Sequence, residues 1–395
     1  MKEKRNKTGN VPNLRFKGFE GEWEEKKLAE VAEKINSGKT PLGGEAIYTA
    51  KGILFIRSQN VNNDRLELEN SVFIPEEINR EMKNSIVHAN DILLNITGAS
   101  LGRSCVVPND FKIGNVNQHV CIIRLHKEFM PRFIQPILSS TKGQNIFQSL
   151  QTGSGREGLN FENIKNIELS FPSLTEQQKI ASFLSLIDER IDTQSKIIQG
   201  LETLIQGLRE KLFTQKLRFK DEDGQQFPDW EVMQLGDISE KKSSMISANK
   251  IEDNFGEYII YGASGILKKI DFFIEREDYI SIVKDGAGVG RLLYCEGQSS
   301  VLGTMDIIKP KQNMNTYFLF HLLKNIDFTK YVTGSTIPHI YFKDYKNENI
   351  VIPSLPEQTL IANFLSDIDG KINVEKSLLQ QMQNQKKYLL QNLFI

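Results

Sequence analysis

Side chains of the types that pair with base edges follow one of the predicted strands. The segment GILFIRSQNV, residues 52–61, begins as an apolar run and then contains Arg57, Gln59 and Asn60. Arginine can form two hydrogen bonds with guanine, and asparagine or glutamine can do the same with adenine. A solvated polar loop explains these residues equally well. Arg57, Gln59 and Asn60 are therefore candidate DNA contacts, and the polar loop is the alternative.

Two glycine-rich loops of matching spacing offer a place to hold phosphate groups. TGASLGR, residues 97–103, and DGAGVGR, residues 285–291, could each present backbone amides and one arginine, Arg103 or Arg291. Lys284 directly precedes the second loop. A tight hairpin explains either loop alone at least as well. The recurrence of the loop in both halves of the chain favours a shared role.

Motifs for catalysis and metal binding are missing from the sequence. SGKT, residues 37–40, has Glu33 where a P-loop needs a glycine. No Asn/Asp-Pro-Pro-aromatic segment, the signature of amino-methyltransferases, occurs. His119, Cys121 and His126 lack a further set of ligands. We therefore predict a binding protein with no catalytic residue and no metal site.

Length and composition indicate an ordinary globular protein with more than one domain. The chain has 395 residues, of which 39% are hydrophobic and 25% are charged. We find no apolar run of membrane-spanning length and no signal-peptide core. Three cysteines without a CxxC pair suit a reducing compartment. We expect a cytoplasmic protein without disulfides.

Charge alone does not indicate a nucleic-acid partner. The formal net charge is −1, and the one positive cluster is the first twenty residues, with six basic against two acidic side chains. A solvated tail is the default interpretation of that cluster. DNA binding would require positive charge on one face of the protein, or partner subunits that supply it.

An internal repeat dominates the organisation of the chain. FPSLTEQQKIASFLSLID, residues 171–188, returns as IPSLPEQTLIANFLSDID, residues 352–369, with 12 of 18 positions identical. Upstream, TGS at residues 152–154 matches TGS at residues 333–335, and WEEKKLAEVAEK from Trp23 matches WEVMQLGDISEK from Trp230. The repeat predicts two tandem halves, each a globular module followed by a long helix.

The repeated segment opens a helix with a coiled-coil seam in each half. Apolar residues recur at alternating steps of four and three. The seam comprises Ile180, Leu184, Ile187, Ile191, Leu201 and Leu208 in the first helix and Ile361, Leu365, Ile368, Ile372, Leu379 and Met382 in the second. Helices of roughly 35 to 40 residues are about 55 to 60 Å long, more than a small module covers. We expect the two helices to pack antiparallel, and a core role for each within its own module is the alternative.

The predicted fold class is α/β, with two mixed α/β modules, two long helices and approximate twofold symmetry. DILLNI, VCIIRL, EYIIYG, YISIVK and MDIIKP are predicted strands beside the segment at residues 52–61. We place a basic tail at residues 1–20 and modules at 21–174 and 219–355. The long helices are placed at residues 175–218 and 356–395.

These motifs together resemble the specificity subunits of type I restriction-modification systems. The resemblance rests on the two TGS segments, the two repeated helix entries, NVPNLRFKGFEGEWEEKKLAEV near the start and YGASGI at residues 261–266. It spans essentially the whole chain. The Pro-Ser-Leu-x-Glu-Gln helix entry is quite specific to that family, whereas the glycine loops are not.

The resemblance implies a non-catalytic adaptor on double-stranded DNA. In that family each module is a target-recognition domain for one half of a bipartite site, and the antiparallel helices set the unread spacer. Two modification subunits supply S-adenosylmethionine binding and adenine methylation, and restriction subunits supply ATP- and Mg-dependent translocation and cleavage. The chain would then bind no cofactor of its own. Target adenines would be flipped into the partner's pocket.

The resemblance also adds candidate DNA contacts beside the TGS segments. In the second half TIPHI follows TGS and adds Thr336 and His339. In the first half GREGL takes its place, which departs from the family pattern and makes Arg156 the candidate there. Two alternatives remain open: a coiled-coil scaffold whose heads bind proteins, and a self-contained DNA methyltransferase or nuclease.

Overall fold

The chain folds into two compact units that share the two long helices. The structure, a computed structural model, describes residues 9–62, 64–151 and 158–395. The first unit runs to Ser195 and includes Leu378–Ile395, and the second unit is Lys196–Ser377. Each unit therefore contains one globular module and a stretch of both long helices.

The first unit is a mixed α/β structure with short strands. Its strands are β1 (Glu24–Lys27), β2 (Ala32–Ser37), β3 (Ile53–Ile56), β4 (Val61–Asn62), β5 (Arg65–Leu66), β6 (Val72–Ile74), β7 (Ile86–Val87), β8 (Ile92–Asn95), β9 (Ser104–Val106), β10 (Gly114–Val116), β11 (Val120–Leu125) and β12 (Glu168–Phe171). Its helices are α1 (Leu28–Val31), α2 (Glu76–Glu81), α3 (Pro131–Ser139), α4 (Thr141–Leu150), α5 (Phe161–Lys165) and the start of α6 (Leu174–Phe213).

The second unit repeats this plan with fewer strands. Its strands are β13 (Glu231–Gln234), β14 (Ser239–Ser243), β15 (Tyr258–Gly262), β16 (Gly265–Ile270), β17 (Tyr279–Val283), β18 (Leu292–Cys295), β19 (Ser299–Val301), β20 (Met305–Pro310) and β21 (Asn349–Ile352). Its helices are α7 (Leu235–Ile238), α8 (Thr316–Leu323), α9 (Phe342–Tyr345) and most of α10 (Leu355–Leu393).

The main sheet has the same topology in both units, whereas the second sheet has four strands, β6-β3-β10-β7, in the first unit and three, β16-β15-β19, in the second. A four-stranded antiparallel sheet has the order β2-β11-β8-β9 in the first unit and β14-β20-β17-β18 in the second. A second sheet contains one parallel pair, β3 with β10 or β15 with β19. The two-stranded pairs β1-β12 and β13-β21 precede α6 and α10. The predicted strands are confirmed, except that residues 57–60 leave the strand and form a turn before β4.

An arginine–glutamate pair fixes the start of α6 in the first unit. Glu176 is buried, and its two carboxylate oxygens accept hydrogen bonds of 2.8 Å from Nε and Nη2 of Arg15. The neighbouring Gln177 donates to the carbonyl of Pro172 and accepts from the backbone N–H of Met130. The Glu-Gln of the repeated motif therefore joins the helix to the module, a contact that the sequence analysis missed.

The second unit forms the same contact at the start of α10. Arg218 donates to both oxygens of the buried Glu357, from Nε at 3.1 Å and from Nη2 at 2.8 Å. Nε1 of Trp230 also donates to Glu357 at 3.1 Å. The hydrogen bond and charge of Glu357 raise the pKa of Arg218, and those of Glu176 raise the pKa of Arg15. The segment LRFK occurs at residues 14–17 and again at residues 217–220, and this short repeat is the sequence signal that could have indicated both arginines.

The long helices run antiparallel within each unit. In the second unit Lys376 of α10 lies 2.6 Å from Glu202 of α6. Farther along α6, Arg209 interacts with the earlier Asp369 of α10. In the first unit Lys386 lies 2.7 Å from Asp188. Residues that lie later on α6 thus contact residues that lie earlier on α10, which is the order expected of antiparallel helices.

A buried histidine lies in the second unit where α8 meets α10. His321 is fully buried, and its Nε2 lies 3.1 Å from a carboxylate oxygen of Asp369, the position equivalent to Asp188 in the repeat. Tyr317 donates to the same carboxylate at 2.7 Å. Burial lowers the pKa of His321, and the nearby Lys324 and Arg209 lower it further, against the opposing effect of Asp369. The imidazole is therefore neutral in the folded protein near neutral pH.

Replacing Arg218 with methionine should strongly destabilise the second unit. The change leaves the carboxylate of Glu357 buried without its guanidinium, which costs about 3 kcal/mol of unfolding free energy. Urea unfolding followed by fluorescence of Trp230, with Trp23 replaced by phenylalanine, measures this loss. Asp229→Asn is the matched control, since Asp229 is fully exposed and 3.9 Å from Arg218. Equal losses in R218M and D229N would contradict the importance of the buried pair.

Acid should destabilise the second unit through His321. Because its folded pKa lies below the usual 6.5, the unfolded chain binds a proton that the folded chain does not as the pH falls below that value. Stability should therefore drop between about pH 7 and about pH 5. In His321→Gln this part of the drop should disappear, whereas in the exposed His88→Gln control it should remain. The melting temperature of each protein across that pH range measures the difference.

Candidate nucleic-acid interface

The two glycine loops have the same backbone structure. In both loops the backbone N–H of the arginine donates to a carbonyl within the loop. Arg103 donates to Ser100 at 3.1 Å, and Arg291 donates to Gly288 at 2.9 Å. Gly102 and Gly290 adopt φ values of +85° and +84°, a region that favours glycine. The weak sequence match at residues 97–103 and 285–291 therefore reflects one loop built twice.

Both loop arginines are exposed and bonded to neutral oxygens. Arg103 is exposed, and its Nη1 donates to the amide oxygen of Asn62 at 2.9 Å. Arg291 is exposed, and its Nη1 donates to the carbonyl of Ala263 at 2.9 Å. Across residues 9–62, 64–151 and 158–395, neither arginine forms an ion pair with a carboxylate. The two guanidinium groups are thus oriented by neutral oxygens and remain able to attract an anion.

The turn at residues 57–60 lies beside the first glycine loop. Asn60 is 2% exposed, accepts from the N–H of Arg57 at 3.0 Å and donates to the carbonyl of Glu67 at 2.9 Å. The amide oxygen and the amide nitrogen of Asn60 are both engaged by these bonds, so the predicted contact of Asn60 with a base would require the turn to open. Gln59 is exposed at the tip. Arg57 stacks over Tyr48 at 5.8 Å, and its buried Nε has no hydrogen-bond partner in the described part of the chain.

A buried asparagine joins this turn to the glycine loop. Asn95, the last residue of β8, is fully buried, and its Nδ2 donates to the carbonyl of Ser58 at 2.8 Å and to Oγ of Ser100 at 3.1 Å. The equivalent residue of the second unit is Val283, which cannot make these contacts. The sequence analysis did not identify Asn95. The signal for it was a single polar amide at the end of the otherwise apolar run ILLN, residues 92–95.

His119 takes part in the same cluster of the first unit. Its Nδ1 lies 2.6 Å from the hydroxyl of Thr97, the first residue of the glycine loop, and its Nε2 lies 3.1 Å from the amide nitrogen of Gln118. Cys121, which the sequence analysis considered with His119 as a possible metal ligand, is buried. Burial raises the pKa of its thiol to about 12. Among the residues that the structure describes, no group of three or more His, Cys, Asp or Glu side chains could hold a metal ion.

Three loops of the second unit meet here: the glycine loop, the loop that begins with TGS at residues 333–335, and the β15–β16 turn. The N–H of Gly286 donates to the carbonyl of Pro338 at 2.9 Å, and that of Ile340 donates to the carbonyl of Lys284 at 3.0 Å. Arg291 holds the third loop, the β15–β16 turn, through Ala263. Nζ of Lys284 lies 3.5 Å from the buried Asp306, which partly neutralises it.

The TGS loop of the second unit is closed by its own backbone. Thr333 and His339 form an antiparallel bridge, and Gly334 has φ of +89°. Thr336 is exposed in this loop, and the ring of His339 contacts that of Tyr341 at 4.9 Å. The structure therefore brings Lys284, Arg291, Thr336 and His339 together. Arg156 and the first TGS segment, residues 152–154, lie outside the described residues.

The predicted seam residues all face inward. Ile180, Leu184, Ile361, Leu365 and Ile372 are buried. Ile187, Ile191, Leu201, Leu208, Ile368, Leu379 and Met382 are half-buried. Ile180 and Leu184 share a core with Leu389 and Leu393 in the first unit. In the second unit Ile361, Leu365 and Ile372 share a core with Ile205 and Leu212.

Comparison with protein families gives a match over most of the chain. A family model described as the type I restriction modification DNA specificity domain matches residues 20–203 and again residues 228–384. The MjaVIII type I restriction enzyme specificity subunit of Methanocaldococcus jannaschii is 26% identical over 347 residues. That alignment covers 78% of this chain and 79% of the relative.

Comparison with solved structures gives the same fold. The crystal structure of a type I restriction-modification S subunit from M. genitalium is 18% identical, with a TM-score of 0.65, over 98% of this chain and 99% of that one. A chain from a structural study of complex assembly and conformational transition in a type I system is 16% identical, with a TM-score of 0.53, over 94% and 97%. These likenesses confirm the predicted fold class of tandem α/β modules with long helices. No helix in the described part of the chain is apolar and long enough to cross a membrane.

Asn95→Ala should loosen the polar cluster of the first unit without unfolding it. The change removes the hydrogen bonds that join Ser58 to Ser100, so amides at residues 57–62 and 97–103 should open more often. Hydrogen exchange by mass spectrometry should show exchange faster by roughly tenfold in both segments, a loss of about 1.4 kcal/mol in opening free energy. Residues 285–291 are the internal control. Unchanged exchange at residues 97–103 would mean that Asn95 does not hold the loop.

Proposed function

This chain belongs to the family of type I restriction-modification DNA specificity subunits, and from that membership we propose that each of its units reads one half of a bipartite DNA site. The chain is a non-catalytic component of its restriction-modification complex. Methyl transfer and cleavage are assigned to the partner subunits. The alternatives of a protein-binding scaffold and a self-contained enzyme are set aside.

The observation that carries this proposal is the glycine loop built twice with a charged arginine. One such loop in each unit gives each module an equivalent point of attachment to a phosphate backbone, which every duplex offers regardless of sequence. The side chains around the loops differ, with Arg57 and Gln59 in the first unit and Thr336 and His339 in the second. A shared phosphate-binding loop surrounded by different side chains would suit two half-sites of different sequence.

We assign different tasks to the candidate contacts. Arg103 and Arg291 are proposed to bind phosphates, because both are exposed and bonded to neutral oxygens, and Lys284 is proposed to assist them beside the second loop. Arg57, Gln59, Thr336 and His339 are proposed to contact bases or the adjacent backbone. Asn60 is proposed to act by holding the turn, since its amide is engaged there. Arg156 remains a predicted contact of the first unit.

The proposed domain organisation follows the sequence analysis. Recognition modules at residues 21–174 and 219–355 are proposed to read the DNA, and the helices placed at 175–218 and 356–395, observed as α6 (Leu174–Phe213) and α10 (Leu355–Leu393), are proposed to set the spacer. The basic segment placed at residues 1–20 includes Arg15, which binds Glu176 and so attaches this segment to the first unit. The antiparallel ion pairs of α6 with α10 support a rigid spacer.

The proposed partners are double-stranded DNA, two modification subunits and restriction subunits. The solved structure from an assembled type I system supports subunit association. S-adenosylmethionine would be bound by the modification subunits, and ATP and Mg by the restriction subunits. The positive potential that this nearly neutral chain lacks would be supplied partly by those partners.

Genome-wide mapping of methylated adenine tests the function. The chain is co-expressed with its modification subunit in a methylation-free host, and N6-methyladenine is located by single-molecule sequencing. We expect one bipartite motif with methylated adenines on opposite strands. A correctly assembled complex that methylates no motif would contradict the proposal.

Arg103→Ala and Arg291→Ala should weaken DNA binding by the assembled complex for all sequences alike. The loss of one phosphate contact should reduce the slope of log affinity against log salt by about 1. Gln59→Ala should instead relax one position of one half-site, at a cost of about 1 to 3 kcal/mol. Arg80→Ala and Arg276→Ala replace exposed arginines outside the loops and are the matched controls. Equal salt slopes in loop and control variants would remove the phosphate assignment.

A further inference from the structure

An ammonium group near the end of α10 lies between two carboxylates of the first unit. Nζ of Lys386 is 2.7 Å from Oδ2 of Asp64 and 2.7 Å from Oδ1 of Asp188. The side chain of Lys386 is only 14% exposed, so solvent screens these contacts weakly. One residue of α10 thus contacts both α6, through Asp188, and the module, through Asp64.

Asp64 forms the bend of the β4–β5 hairpin. Its φ of +70° is uncommon for a residue with a side chain, and Asp and Asn tolerate it best. Oδ1 of Asp64 accepts from the amide of Gln135 at 2.6 Å, and its N–H donates to the carbonyl of Ser104 at 3.2 Å. Lys386 therefore holds a bend whose conformation is specified by the module.

The hairpin is attached to the helices by a second ion pair. Nη1 of Arg65 lies 2.6 Å from Oδ1 of Asp192 on α6. On the other side of the bend, Asn62 accepts the hydrogen bond from Arg103. The turn with Arg57 and Gln59 immediately precedes the hairpin. The same short segment thus joins the long helices to the proposed DNA contacts of the first unit.

Charge rather than close packing holds this junction. A cavity of about 670 Å³ lies beside it, lined by Asp64, Arg65, Asp188, Asp192 and Lys386 among others. The hairpin packs on the module through the fully buried Val61, so its ion pairs with Lys386 and Asp192 are what join it to the long helices. Burial alone would raise the pKa of Asp64, but Lys386 and the hydrogen-bond donors around Asp64 bring it below its usual value. The Asp64–Lys386 pair is therefore ionised at neutral pH.

The second unit uses the equivalent carboxylate differently. Asp369 occupies the repeat position of Asp188, but it contacts Tyr317 and His321, both from α8. Neither residue belongs to a hairpin beside the second glycine loop. The lysine junction is therefore a property of the first unit, and its loss should affect one half-site.

From this geometry we infer that Lys386 is a positioning residue for DNA reading: it fixes the β4–β5 hairpin, and through it Arg103 and the residue 57–60 turn, to the long helices. The inference rests on the proposed function. It makes sequence discrimination by the first unit depend on a residue near the end of the last helix, 322 positions away from Asp64.

The test compares Lys386→Met with Lys387→Met in the assembled complex with its modification subunits. Methionine keeps the apolar stem and removes the charge, and Lys387 is exposed on the same helix beside the same cavity. Competition binding uses the cognate duplex and duplexes mismatched in either half-site. The half-site that Gln59→Ala or Arg57→Ala relaxes is taken as that of the first unit.

We expect K386M to reduce discrimination against first-half-site mismatches by about tenfold, within the range that one mismatched base pair normally costs. Discrimination at the other half-site should be unchanged, and K387M should match the parent chain at both. Asp64→Asn should behave as K386M does, and Lys386→Arg should restore discrimination.

Three outcomes would overturn the inference. They are undiminished discrimination in both K386M and D64N, equal losses at both half-sites, and failure of K386R to restore discrimination. If K386M does not assemble, D64N decides the matter alone. A parent complex that reads no bipartite site would instead refute the proposed function, so the two failures are distinguishable.

Discussion

The buried arginine–glutamate pair at the start of each long helix is the contact on which the rest of each unit depends. Glu176 and Glu357 are among the most deeply buried carboxylates of the described chain, and each is held in bidentate geometry by an arginine that precedes its module. Such a contact is costly to break from either side, because a buried carboxylate left alone is strongly unfavourable. It therefore fixes where the helix leaves the module and allows a helix of about forty residues to serve as a rigid element.

The glycine loops show how one backbone structure can have different surroundings in the two units. Their backbones follow the same hydrogen-bond pattern, because positive φ values are required at Gly102 and Gly290. The surroundings diverge: Asn95 joins its loop to a polar turn, while Val283 leaves the second loop to be held by the TGS segment. In the proposed function, the shared loop would position the DNA and the differing neighbours would read it.

The carboxylates of the repeated helices were put to different uses in the two units. Asp188 contacts Lys386, and Asp369 contacts Tyr317 and His321. Identical residues at identical repeat positions therefore contribute to an ionic junction in one unit and to a buried aromatic contact in the other. Repetition of sequence fixes the backbone plan more firmly than it fixes the chemistry of individual side chains.

The sequence by itself determined the features that depend on near neighbours and on self-similarity. The heptad spacing of Ile180 and Leu184 predicted the long helices, since periodicity places those residues on one face. The strands at residues 92–95 and 279–283 followed from their apolar runs in the same way. The tertiary structure alone decided that Asn60 is buried, that Arg15 meets Glu176 across 161 residues, and that Lys386 reaches Asp64. The physical reason is that such contacts depend on the folded path of the chain, which brings together residues whose local sequences carry no information about each other.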